Sequence, residues 1–134
     1  IRDAQLSRGL GDVYKRQARH ERHAEATRRA VRSWGFEIQC SEPKEYSPVL
    51  TGVIMPSGHD ADALRSVILE KYNMSLGAGL GKIKGKVFRI GHLGDFNDLM
   101  LMGTLSGVEM GLASAGVPHN KGGAQAALDF LAGN

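Results

Sequence analysis

The stretch Gly85–Asp98, GKVFRIGHLGDFND, holds the residues best suited to chemistry. Side chains alternate faces along a strand, so in Lys86–Gly91 Phe88 and Ile90 share one face and Val87, Arg89 and Gly91 share the other. The Phe88–Ile90 face belongs to the core. Arg89 is then a guanidinium fork on the opposite face, with Gly91 leaving space beside it. Such a fork suits a small carboxylate, gripped through two parallel hydrogen bonds. A solvated or salt-bridged arginine fits the same alternation at least as well. His92 follows the strand and reads as an orienting or structural residue rather than a catalytic one.

The cluster Gly77-Ala78-Gly79-Leu80-Gly81-Lys82 suggests a phosphate loop but misses its spacing. Only three residues separate Gly77 from Gly81, and Ile83 stands where a Mg²⁺-binding Ser or Thr is needed. A dinucleotide fingerprint opens a helix, whereas a strand follows here. A tight, adaptable loop close to a ligand or another chain is the better reading. His20 and His23 lie one turn apart without a third ligand nearby, and read as solvated histidines rather than a metal site. The single cysteine, Cys40, excludes an internal disulfide and a multi-cysteine zinc site, and reads as buried and inert. No nucleophile triad, paired carboxylates or H-E-x-x-H stretch can be assembled. No catalytic residue and no metal site are therefore expected, and the chain reads as part of an enzyme rather than a whole one.

The 134 residues fit one domain of ordinary apolar content. The net charge of +3 is uneven: residues 1–17 carry four basic and two acidic groups, the rest 13 basic against 12 acidic. A body so near neutral lacks the electrostatic footprint of a nucleic-acid binder. No apolar leader stands at the start, and a cytoplasmic location is expected. Leu99–Pro118 is apolar over the length of a bilayer span, but it contains Glu109. A mid-membrane carboxylate costs roughly 2.5–3.5 kcal/mol, so this segment reads as a buried helix of a soluble protein.

The elements that must position Arg89 follow from periodicity. Residues 1–17 have no clean period, and LGDVYKRQ resembles translated adapter or cloning sequence; they are expected to be a non-native or disordered arm. Residues 18–134 form the domain. Ala24, Thr27, Ala30, Val31 and Trp34 predict a helix over Ala18–Trp34, with Glu21 and Glu25 pairing to Arg28 and Arg29, stopped at Gly35. Strands are predicted at Phe36–Cys40, Val49–Met55 and Lys86–Gly91. Asp60 caps a second helix that ends near Asn73; Asp95 caps a third to about Ala115; a fourth spans Gly123–Ala132. In the third, Leu101, Leu105, Val108 and Leu112 form the apolar seam. Gly103, Gly107 and Gly111, with Ala115, line another face and predict a close backbone neighbour there. The fold class is α+β, a small mostly antiparallel sheet of about three strands covered by helices.

Three runs carry a resemblance: HAEATRRAVRSWGFEI, YSPVLTGVIMPSGHDA and NMSLGAGLGKIKGKVFRIGHLGDFNDLMLMGTLSGVEMGLASAGVPH. They are similar to the C-terminal small domain of class V aminotransferases, most of all the serine–glyoxylate and alanine–glyoxylate enzymes. The resemblance covers about Ala18 to the C terminus. It implies the aspartate-aminotransferase-like fold type I, usually as a homodimer, and pyridoxal 5'-phosphate as cofactor. It implies an activity that moves an amino group from serine or alanine to glyoxylate. Arg89 matches the arginine that binds the substrate α-carboxylate, and Gly79 and Gly81 belong to a loop near the substrate mouth. The Schiff-base lysine, the acid facing the pyridine nitrogen and the phosphate cup belong to a large domain of the same polypeptide. Without them the chain is expected to be inactive. The alternative is a stand-alone α+β module that binds a small amino or keto acid.

Overall fold

The computed structural model describes residues 2–39, 50–79, 81–91 and 97–133. Cys40, His92 and Asp95, each given a role on sequence grounds, lie outside the described residues. The elements in order are α1 (Arg2–Trp34), β1 (Glu37–Ile38), β2 (Leu50–Ile54), α2 (Ala61–Tyr72), β3 (Gly77–Ala78), β4 (Val87–Gly91), α3 (Asp98–Ser114) and α4 (Gly123–Leu131). The sheet order is β1-β2-β4-β3, and every pairing is antiparallel. The α+β layer is as expected, with four strands among the described residues rather than three. The additional strand, β3, comes from the glycine cluster. Gly and Ala are poor strand formers, so register with β4, not propensity, makes it a strand.

Helix α1 begins at Arg2, well before Ala18. The upstream turns lack an apolar stripe, yet Ala4, Gln5, Leu6, Arg8 and Leu10 are good helix formers. Gly9 and Gly11 each cost about 1 kcal/mol, which a continuous helix can absorb. Downstream, Ala24, Thr27, Ala30, Val31 and Trp34 are buried as their spacing predicts, and Glu25 meets Arg28, Arg29 and Arg32 at 3.6–3.9 Å. His23 departs from expectation. It is buried, not solvated, because the start of α3 packs over it and Asp98 Oδ1 accepts from His23 Nε2 at 2.8 Å. The same oxygen accepts from Arg22 Nη1 at 2.5 Å, and Arg22 Nη2 donates to the Leu131 carbonyl at 2.7 Å. The hydrogen bond from Arg22 holds Asp98 below the usual carboxylate range; burial opposes it and His23 adds to it.

Asp60 caps α2 by accepting from the Asp62 N–H at 3.0 Å, and Asn73, left-handed at φ 52°, ends it. The cap of α3 is Asn97, whose side chain accepts from the Met100 N–H at 2.8 Å. Leu101, Leu105, Val108 and Leu112 are fully buried. The small-residue stripe on α3 meets side chains, not another backbone. A Cβ at Gly111 would clash with Ile68 of α2, and one at Gly107 would lie 2.9 Å from Met74 Cε; Gly103 has open space. The close neighbours are therefore Ile68 of α2 and Met74 just past its end.

Helix α4 has no side-chain cap of its own, since Gly122 stands at its N-cap position. Glu109 of α3 fills that role. Its Oε1 accepts from the Ala124 N–H at 3.0 Å and from Trp34 Nε1 at 2.7 Å, and its Oε2 accepts from the Gly122 N–H at 3.4 Å. Burial pushes the Glu109 carboxyl up, but the hydrogen bonds from Ala124, Trp34, Gly122 and Gly123 outweigh it and hold the pKa below 4.5. Among the described residues no helix is long and apolar enough to cross a membrane.

Two outcomes are expected in urea unfolding. A Cβ at Gly123 would meet the Trp34 indole ring nitrogen, so Gly123→Ala should cost about 1–3 kcal/mol by over-packing. Because the folded pKa of Glu109 is depressed, its contribution is whole above the unfolded value of 4.5 and is lost as pH falls through the lower folded value. The stability gap between the chain and Glu109→Gln should therefore shrink below pH 4.5; a gap independent of pH would contradict it.

Candidate substrate-carboxylate site

Arg89 lies at the middle of β4, an inner strand paired on both sides. The register sets Gly77, Arg89 and Gly52 in one row across the sheet. Paired residues share a face, so a glycine flanks the arginine on either side. On the β3 side the stem of Arg89 lies along Gly77, where a Cβ would come within 3.1 Å of Arg89 Cβ and 3.6 Å of Nε. Arg89 Nε donates to the Ala78 carbonyl at 3.0 Å, which orients the fork and leaves both Nη groups for a ligand. Arg89 is half-buried, and no carboxylate among the described residues pairs with it.

The alternation of β4 is obeyed with one exception. Phe88 and Ile90 are fully buried, Arg89 and Gly91 are not, yet Val87 is buried as well. Gly79 packs against the start of the strand: its N–H donates to the Val87 carbonyl at 3.1 Å. This brings the preceding turn down on the Val87 end of the face. Across the sheet Arg89 has a glycine as its neighbour in each adjoining strand, Gly77 on β3 and Gly52 on β2. Gly52 was legible as a glycine inside the otherwise strand-forming run LTGVI, a pattern that marks close approach.

The loop glycines have local reasons for being glycine. A Cβ at Gly79 would lie 2.6 Å from the Ile83 carbonyl oxygen and 3.1 Å from that of Val87. Gly81 has φ +60° with open space around it, and opens a single 3₁₀ turn, Gly81–Ile83. Both glycines thus shape the loop that joins β3 to β4.

The Arg89 face is open rather than a finished cleft. A pocket of about 290 Å³ lies elsewhere, between α3 and the start of α4, lined by Ser106, Glu109, Met110 and Lys121 among others. A pyridoxal phosphate does not fit the described residues alone. Its Schiff-base lysine must be desolvated, whereas Lys84, Lys86 and Lys121 are exposed. Among the described residues no group of three or more His, Cys, Asp or Glu is placed to hold a metal ion.

No protein-family model matches the chain. Individual proteins do. The chain is 42% identical over 127 residues to serine–glyoxylate aminotransferase of Methylorubrum extorquens, covering 94% of this chain and 31% of the relative. It is 46% identical over 116 residues to serine–glyoxylate aminotransferase of Arabidopsis thaliana, covering 85% and 29%. Among solved structures, pyridoxamine–pyruvate aminotransferase from Mesorhizobium loti superposes with a TM-score of 0.81 at 30% identity, over 97% of this chain and 33% of that one. Ureidoglycine–glyoxylate aminotransferase from Bacillus subtilis gives 0.78 at 27% identity, over 86% and 30%. The chain spans about a third of the length of the curated relatives it matches. Identity near 40% and a shared fold place it in the class V aminotransferase family, as the counterpart of the small C-terminal part of its members.

Proposed function

We propose that this chain is the substrate-carboxylate-binding small domain of a pyridoxal-phosphate-dependent transaminase that moves an amino group from serine or alanine to glyoxylate. The observation that carries the reading is the state of Arg89. It is fixed at the centre of the sheet, steered by the Ala78 carbonyl, flanked by two glycines, and without an acidic partner among the described residues. A fork so prepared binds a carboxylate with little reorganisation. Gly79 and Gly81 shape the rim on the β3 side. The relatives in which this region is about a third of the chain are named as glyoxylate aminotransferases, which supports the choice of reaction.

The cofactor supplies the electron sink for the amine exchange when it is bound, and the large domain of the same polypeptide supplies most of its contacts. This chain contributes the acid grip and a wall of the site. A second copy in a homodimer completes the assembly. Residues 1–17 are read as a non-native arm, and residues 18–134 as the small domain.

In the full-length enzyme, Arg89→Ala should raise KM for the amino donor and for glyoxylate together, by about 10- to 100-fold, as for loss of a charge-assisted hydrogen-bonded pair. Arg89→Lys should recover only part of this, because an ammonium cannot make the paired contact. Steady-state kinetics with both substrates checks it, and unchanged affinity for both would refute the reading. The chain alone should show no transaminase activity in the presence of added pyridoxal phosphate.

A further inference from the structure

The row that contains Arg89 does not stop at Gly52. On the far side of Gly52 the next residue in the row is Gln39, whose backbone N–H donates to the Gly52 carbonyl at 3.0 Å. Its side chain leans over the glycine. A Cβ built on Gly52 would lie 2.5 Å from Gln39 Oε1 and 3.0 Å from Gln39 Cβ. Gln39 is exposed, and its amide has no hydrogen-bond partner among the described residues. The arginine leans the other way, along Gly77 toward the Ala78 carbonyl. Arg89 and Gln39 thus stand in one row on one face of the sheet, with the neutral amide covering Gly52 between them. Their backbones are two strand spacings apart, about 9–10 Å.

We propose that Gln39 is a second substrate contact, which reads the side chain of the amino acid whose carboxylate Arg89 holds and favours a hydroxyl-bearing donor over one that ends in a methyl. This rests on the carboxylate reading of Arg89. A primary amide offers both an acceptor and a donor, and a hydroxyl can use either. A methyl group can use neither, so a site closed over it leaves the amide unpaired, which is how polar pockets discriminate against apolar analogues. Gly52 is part of the device. Any side chain there would push the amide aside.

The test uses the full-length enzyme with Gln39→Leu, Gly52→Ala and Arg89→Ala. Two readouts are taken for serine and alanine: kcat/KM, and affinity by calorimetry. KM for glyoxylate is the control. Gln39→Leu should lower both serine readouts by about three- to tenfold, as for loss of one neutral hydrogen bond, while alanine and glyoxylate stay within about twofold. Gly52→Ala should shift the serine-to-alanine ratio in the same direction. If serine and alanine change by the same factor, or neither changes, the role of Gln39 is overturned. Arg89→Ala still decides the carboxylate reading in that case, because it should weaken all three ligands. If Arg89→Ala leaves all three unaffected, both proposals fall.

Discussion

The structure depends on one carboxylate. Glu109 of α3 takes the place of a cap at the start of α4 and, with the same oxygen, receives the Trp34 indole N–H at the end of α1. Three helices are thereby tied at a point where each would otherwise leave a polar group unmatched. Several N–H groups converge on this half-buried acid and keep it charged. Gly123 completes the arrangement by letting the indole approach the first turn of α4. The sheet then inherits its starting position. The Phe36 N–H reaches back to the Val31 carbonyl, and the Asn120 N–H meets the carbonyl of Trp34 itself. The end of α1, and hence the entry into β1, is fixed from both sides.

A second tie works at the other end of the helical layer. Arg22 spans from Asp98, in the first turn of α3, to the Leu131 carbonyl at the end of α4. A carboxylate at a helix start and a guanidinium at a helix end both complement the helix dipole. Between these two ties the apolar seam of α3 is buried, and α2 closes against it through the space left at Gly111. The outcome is a firm back wall for β4. A side chain at the middle of a strand paired on both sides has little freedom of backbone, and that is what a carboxylate fork requires.

Much of this was legible in the sequence. The apolar spacing of α1 and α3, the Asp60 cap, the left-handed Asn73 and the Gly35 stop act within one or two helical turns, so their signals survive without tertiary context. The placement of Arg89 opposite Phe88 and Ile90 followed from alternation alone. What escaped reading was long-range. His23 sits on a stretch rich in charge, and only the arrival of Asp98, 75 residues later, makes a buried site of it. Gly77 and Ala78 carry no strand propensity and pair only because β4 is there. Asn97 and Asp98 are both good cap residues, and nothing local distinguishes the cap from the residue that turns back to Arg22. The glycine stripe of α3 was a true packing signal with the wrong partner. Spacing says that something must come close, not whether it is backbone or the branched side chain of Ile68.

The two outermost strands, β1 and β3, are each two residues long, while the inner pair is five and five. A fringe so brief offers a foreign strand almost nothing to zip onto, which is one way natural sheets avoid polymerising edge to edge. Association with other protein must then proceed through helical or loop surfaces, and the ribbon carrying the arginine is spared from being recruited into cross-β aggregates.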